Sequence, residues 1–126
     1  MNTEAFGEFL RRKREERNLS LREFAKGLGV SAVYLSDIER GNRFPPVDPM
    51  KLLCISKALS LDRNDFNTLC DLAGEARKSI AFDILWYIRQ HRRYIIPALR
   101  TAMELGAAKE DWDAMIKALQ NRRGPY

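Results

Sequence analysis

LSLREFAKGLGVSAVYLSDIERG, residues Leu19 to Gly41, decides the fold. Ser20 stands where a helix N-cap is expected and Glu23 follows three residues later, the reciprocal arrangement of a capping box. The helix it starts runs about Leu21 to Leu28 and turns Phe24, Ala25 and Leu28 inward. Ala25 matters sterically, because a larger side chain there would push this helix off its neighbour. Gly29 follows the helix end, where a left-handed backbone is cheap only for glycine or asparagine. Val30 plugs the turn. Ser31 caps a second helix over about Ala32 to Arg40, with Leu35 and Ile38 inward, and Gly41-Asn42 stops it. Two short helices joined by a tight turn, the second with a small, polar outer face, form a pair that fits a DNA major groove.

Helical periodicity extends outward in both directions, and no alternating strand pattern competes with it. Upstream, Phe6, Phe9, Leu10 and Lys13 share one side of a helix over roughly Thr3 to Asn18, with Thr3 as its N-cap. The opposite face carries Arg11, Arg12, Arg14, Glu15 and Arg17. Downstream, Arg43-Phe44-Pro45-Pro46-Val47 is an extended connector, since each proline restrains its predecessor. Asp48-Pro49 marks the next helix start, about Pro49 to Leu59, which buries Leu52, Leu53, Ile55 and Leu59 to differing degrees. Asp62 and Asp65 open a fifth helix, roughly Arg63 to Ala73, which places Phe66 and Leu69 inward. Gly74 is expected to close it. Three more helices follow, about Ile80–Gln90, Tyr94–Leu105 and Lys109–Gln120. His91-Arg92-Arg93 and Gly106 break them, and a frayed end runs from Asn121 to Tyr126. The expected architecture is all-α, a five-helix module over residues 1–74 and a helical extension over residues 75–126.

Composition narrows the functional classes. The 126 residues include 45% hydrophobic and 31% charged side chains, enough for a small core under a charged surface. No apolar run reaches the roughly 18 residues of a membrane span, and Met1 to Gly7 lacks the pattern of a secretory signal, so a cytoplasmic location is expected. Cys54 and Cys70 read as buried reduced thiols. With His91 the one histidine, no cysteine–histidine metal set assembles at finger spacing, and no catalytic cluster does either. Neither a cofactor nor enzymatic activity is expected. The net charge of +5 favours a polyanionic partner. The excess lies at the two ends, with nine basic and seven acidic side chains up to Val47 and ten and six from Glu75 onward, so the C-terminal part either helps to attract DNA or is simply solvated.

The capping box, Ala25, Gly29, Ser31, the Tyr34-Leu35-Ser36 run and Ile38-Glu39-Arg40-Gly41 together resemble the helix-turn-helix of the XRE family, the Cro and phage-repressor-like regulators. The resemblance covers about residues 4–73 and implies a lambda-repressor-like module. Residues 75–126 resemble the extension of some short family members, through Asp83-Ile84, Leu99-Arg100 and Glu110-Asp111-Trp112. By that resemblance, Ala32 and Val33 take the first outward positions of a recognition helix and could meet thymine methyls. Tyr34 reaches a base or phosphate, or else packs along the connector. Asp37 accepts from cytosine N4, or else only repels phosphates. Arg40 suits guanine or a phosphate. Ser20, Arg22 and Ser31, at helix starts, and Asn42 and Arg43, after the recognition helix, would position the protein on phosphates. Glu39 is implied to be structural, paired with Arg14.

The resemblance implies a sequence-specific regulator of transcription, most simply a repressor on double-stranded DNA. It would bind a palindromic operator as a homodimer. The apolar excess at Phe82, Leu85, Trp86, Tyr87, Ile95 and Ile96 points to residues 75–120 as the dimerisation element, or else these side chains pack onto the DNA-binding module of the same chain or form a surface for a partner protein. The alternative is an antitoxin-type protein that neutralises a protein partner and autoregulates its operon.

Overall fold

The computed structural model describes residues 4–122, which form eight helices and no strand. These are α1 (Phe6–Glu16), α2 (Leu21–Leu28), α3 (Ala32–Glu39), α4 (Pro49–Ala58), α5 (Arg63–Ala76), α6 (Phe82–Gln90), α7 (Arg92–Leu105) and α8 (Lys109–Asn121). The chain divides into two compact units, Met1–Tyr87 and Ile88–Tyr126.

In the first unit α1 packs on α3 and α5, α2 on α3 and α4, and α4 on α5. Their inward residues meet in one core. Phe9, Leu10, Phe24, Leu35, Leu52 and Leu69 are almost wholly withdrawn from water. Burial of each such side chain is worth about 1.5–3 kcal/mol relative to exposure. The starts of α2 to α5 follow from their caps. Ser20, Ser31, Asp48 and Asp62 each accept a backbone N–H from the first turn of the helix that follows.

The helix ends share one device. At Asn18, Gly29, Gly41, Ser60, Lys78 and Gly106 the backbone is left-handed. At Gly29 the glycine N–H reaches Lys26 O and the next N–H reaches Ala25 O, the paired bonds of a Schellman motif. The same pair recurs at Asn18, Gly41, Ser60 and Lys78.

Several expectations need correction. Gly74 does not close α5, which runs on to Ala76 and ends at Lys78 with φ of 54°. Gly74 is instead buried. A Cβ on it would lie 2.8 Å from Ala81 N, so its missing side chain lets the returning segment pack against α5. Ala81 joins the core, and the first compact unit continues past Gly74 to Tyr87. Ile80 accordingly precedes α6 and does not begin it. The expected break at Arg92-Arg93 is the first turn of α7, whose interior holds Pro97. Thr3, the expected cap of α1, lies outside the described residues, and α1 starts at Phe6 after an extended Ala5 that makes no side-chain cap. Arg123 to Tyr126, in the expected frayed end, also lie outside them, whereas Asn121 belongs to α8.

Cys70 is buried as expected but Cys54 is exposed, because it lies at an open edge of α4 while Leu52 and Ile55 turn into the core.

In the second unit Gly106 ends α7 with φ of 65°, and the carboxylate of Asp111 accepts the Ala108 N–H at the start of α8. Neither helix has a buried residue.

Candidate nucleic-acid interface

The turn between α2 and α3 is fixed at both sides by local chemistry. Ser20 Oγ accepts from Glu23 N at 3.0 Å and Glu23 Oε1 accepts from Ser20 N at 3.1 Å, which completes the capping box. Hydrogen bonding from Ser20 to the Glu23 carboxyl, first by its backbone N–H and then by its side chain, holds that carboxyl below its usual range. Ser31 Oγ accepts from Tyr34 N at 3.0 Å. Ser20, Arg22 and Ser31 are all exposed, so the first turns of α2 and α3 are open to solvent. Free amide groups at such helix starts attract phosphate oxygens.

α3 is held from behind by α1. Arg14 Nε donates to Glu39 Oε2 at 2.7 Å and Nη2 donates to Oε1 at 3.0 Å, a two-pronged pair. Arg14 Nη1 also donates to Leu19 O at 2.8 Å, which ties α1 to the segment entering α2. The pair is largely withdrawn from water, with 12% and 6% of the two side chains exposed. Bonding to Glu39 raises the Arg14 pKa above its usual value. Two helical turns earlier on the same side of α1, Gly7 lies against the carbonyls of Ile38 and Glu39, where a Cβ would collide with backbone. Gly7 therefore sets how closely α1 approaches the end of α3. Nothing in its local sequence marks it, since it sits inside a helix where glycine is unfavourable.

The outer face of α3 is small. Val33 is 71% exposed, while Ala32 is half-buried against the core. Ala32 thus does not take the outward position expected of it, because the first turn of α3 leans onto the core through this residue. Tyr34 is half-buried and packs on the core, and it shares a surface cleft with Pro46 and Val47 of the connector. The guanidinium of Arg43 lies over its ring, 4.9 Å from the centroid. Asp37 and Arg40 face each other, with 3.5 Å between Oδ1 and Nη2. Arg40 sits at the C-cap of α3, just beyond the helix expected to include it, and stays 64% exposed. Asn42 and Arg43 are exposed at the start of the connector.

The connector itself is held by a residue that sequence reading did not single out. Arg77, at the C-cap of α5, donates from Nη2 to Pro45 O at 3.0 Å and stands over the Phe44 ring at 5.3 Å. A cation 32 positions away from its acceptor leaves no local signal. Among the described residues no cluster of three or more histidine, cysteine, aspartate or glutamate side chains could hold a metal ion, and no helix is long and apolar enough to cross a membrane.

The chain is similar to several known proteins. The ImmF control region 10 kDa protein of Bacillus phage phi105 is 40% identical over 58 residues, 46% of this chain and 62% of that protein. An uncharacterised HTH-type transcriptional regulator of Mycobacterium tuberculosis (strain H37Rv) is 45% identical over 53 residues, 42% of this chain and 36% of that protein. The chain thus spans less than two thirds of the length of these relatives. Among solved structures, the SinR protein/SinI protein complex aligns with 95% of this chain and 99% of the matched chain, at 26% identity and a TM-score of 0.47. The family model of the helix-turn-helix domain matches residues 5–77, which is α1 to the end of α5 and more than half of the chain. The chain belongs to the helix-turn-helix domain family.

Proposed function

We propose that the protein regulates transcription by binding DNA sequence-specifically, as a repressor that covers a palindromic operator as a homodimer. The observation that carries this reading is α3, whose inner side is fixed by Leu35, Ile38 and the Arg14–Glu39 pair while Val33 and Arg40 stand open. A helix so held presents a rigid edge to a major groove. Arg40 is the leading base or phosphate contact. Val33 supplies an apolar contact for a thymine methyl, with the half-buried Ala32 beside it. Asp37 lies within reach of Arg40 and orients its guanidinium. Tyr34, held under Arg43, contributes its edge. Ser20, Arg22, Ser31, Asn42 and Arg43 position the protein on phosphates. The similarity to an HTH-type transcriptional regulator and to a phage control-region protein supports the same class. Action on DNA in this way belongs to the cytoplasm, and it requires no cofactor and no enzymatic step.

Selection of bound duplexes from a random pool, followed by salt titration of the winner, tests the reading. One palindromic site should dominate, with affinity falling steeply as salt rises. Equal binding to every sequence would refute it. The apolar exposure of α6 to α8, including Trp86, Met103, Leu105 and Ile116, supports the homodimer. The same exposure also suits the second reading, in which this part of the chain neutralises a protein partner.

A further inference from the structure

A cavity of about 340 Å³ lies in the first unit, between α2, α3 and α4. Its walls are the apolar side chains of Leu28, Val30, Leu35, Ile38 and Ile55, and Phe6 and Leu10 reach it from α1. On the α4 side it is lined by Met50, Lys51 and Cys54, all exposed, which makes this its solvent side. Lys51 is the one charged residue among the described lining residues. Lys13 of the same unit is committed to Asp65 at 2.9 Å. Lys51, by contrast, enters no ion pair among the described residues.

We propose that this cavity binds a small amphipathic monocarboxylate, with its hydrocarbon tail among the α2–α4 side chains and its carboxylate at Lys51. An apolar hollow with one placed cation selects a ligand that is apolar along most of its length and anionic at one end. Size points the same way. The volume is more than twice the roughly 150 Å³ of an apolar cavity that takes up benzene, which leaves room for a chain of eight carbons. A doubly charged phosphate finds only one cation and a mostly apolar wall, so it is the poorer fit. Tyr34 of α3 also lines the cavity, so the ligand touches the helix assigned to DNA reading. The binding step itself does not depend on that assignment.

The test is methyl NMR on the full chain titrated with sodium octanoate, and with 1-octanol as the uncharged control. Saturable shifts are expected at the methyls of Leu28, Val30, Leu35 and Ile55, with octanol about fivefold to tenfold weaker. In Lys51→Met, a surface substitution that leaves the core untouched, octanoate should fall to the level of octanol while octanol is unchanged. Maleimide labelling of Cys54 gives a second readout, and octanoate should slow it. Absence of saturable shifts, equal affinity for acid and alcohol, undiminished octanoate binding in Lys51→Met, or unaltered Cys54 labelling would each overturn the proposal.

Discussion

At Glu39 a carboxylate is turned away from the solvent side of α3 and given to Arg14, and the outcome of losing either partner follows from what remains. Arg14→Met leaves an almost fully covered carboxylate with no cation, together with the Leu19 carbonyl that Arg14 also satisfied. Such a loss costs about 2–3 kcal/mol, somewhat below the figure for a fully interior pair. Urea unfolding should show it as a lower midpoint at constant slope. Arg40 is the opposite case. It is open and only loosely engaged by Asp37 at 3.5 Å, so Arg40→Ala should leave the unfolding midpoint within experimental error. It should weaken operator binding and relax preference at one base position, by about 1–3 kcal/mol if the contact is bidentate. An unchanged site preference in the selection experiment would remove Arg40 from the interface.

The cysteines separate by reactivity on the same scale. Burial, with Asp83 and Asp71 nearby, pushes the Cys70 thiol up to about 11. Its protonated form therefore persists in the folded protein well above pH 8, and the thiolate is the reactive species. Ellman's reagent at pH 8 should consume one thiol per chain, that of the exposed Cys54, and reach the second only on unfolding.

Among elements, the ones readable in advance were those whose signals are local. α2 declares itself through Ser20, Glu23 and Gly29, and α4 through Asp48-Pro49, and each begins where those residues place it. The end of α5 was not readable, because the left-handed residue that stops it is Lys78, a side chain with no preference for that conformation. The nearby Gly74 mimicked a stop while serving a close approach of the chain at Ala81. The Arg14–Glu39 pair was accessible only through family resemblance, and Gly7 and Arg77 not at all, since each acts on a residue more than 30 positions away. Two substitutions test this account. Lys78→Gly should raise stability by about 0.5–1 kcal/mol, the left-handed strain relieved less the added freedom of the unfolded chain. Gly7→Ala, although it improves helix propensity, should lower stability by about 2–3 kcal/mol, because α3's carbonyls must move to admit the methyl. A neutral Gly7→Ala would mean that α1 and α3 can separate freely.

Across the whole molecule, apolar surface is distributed unevenly. The first unit closes a core, whereas α7 and α8 expose Tyr94, Met103, Leu105, Met115, Ile116 and Leu119 without burying one residue. Exposed apolar area on this scale marks an interaction surface. A module of this kind reads one half-site, and two copies joined by a two-fold axis reach half-sites about 34 Å apart. The homodimer reading therefore predicts that full-length protein scatters light as a dimer at micromolar concentration. Met103→Glu with Ile116→Glu should yield a monomer with an unaltered far-ultraviolet spectrum, since neither residue belongs to the core. On DNA that variant should still protect a half-site at high concentration but lose the steep dependence on protein concentration that paired binding produces. A wild-type chain that is monomeric in the absence of DNA, and remains one copy per operator when bound, would instead assign the apolar face of α7 and α8 to a different protein partner.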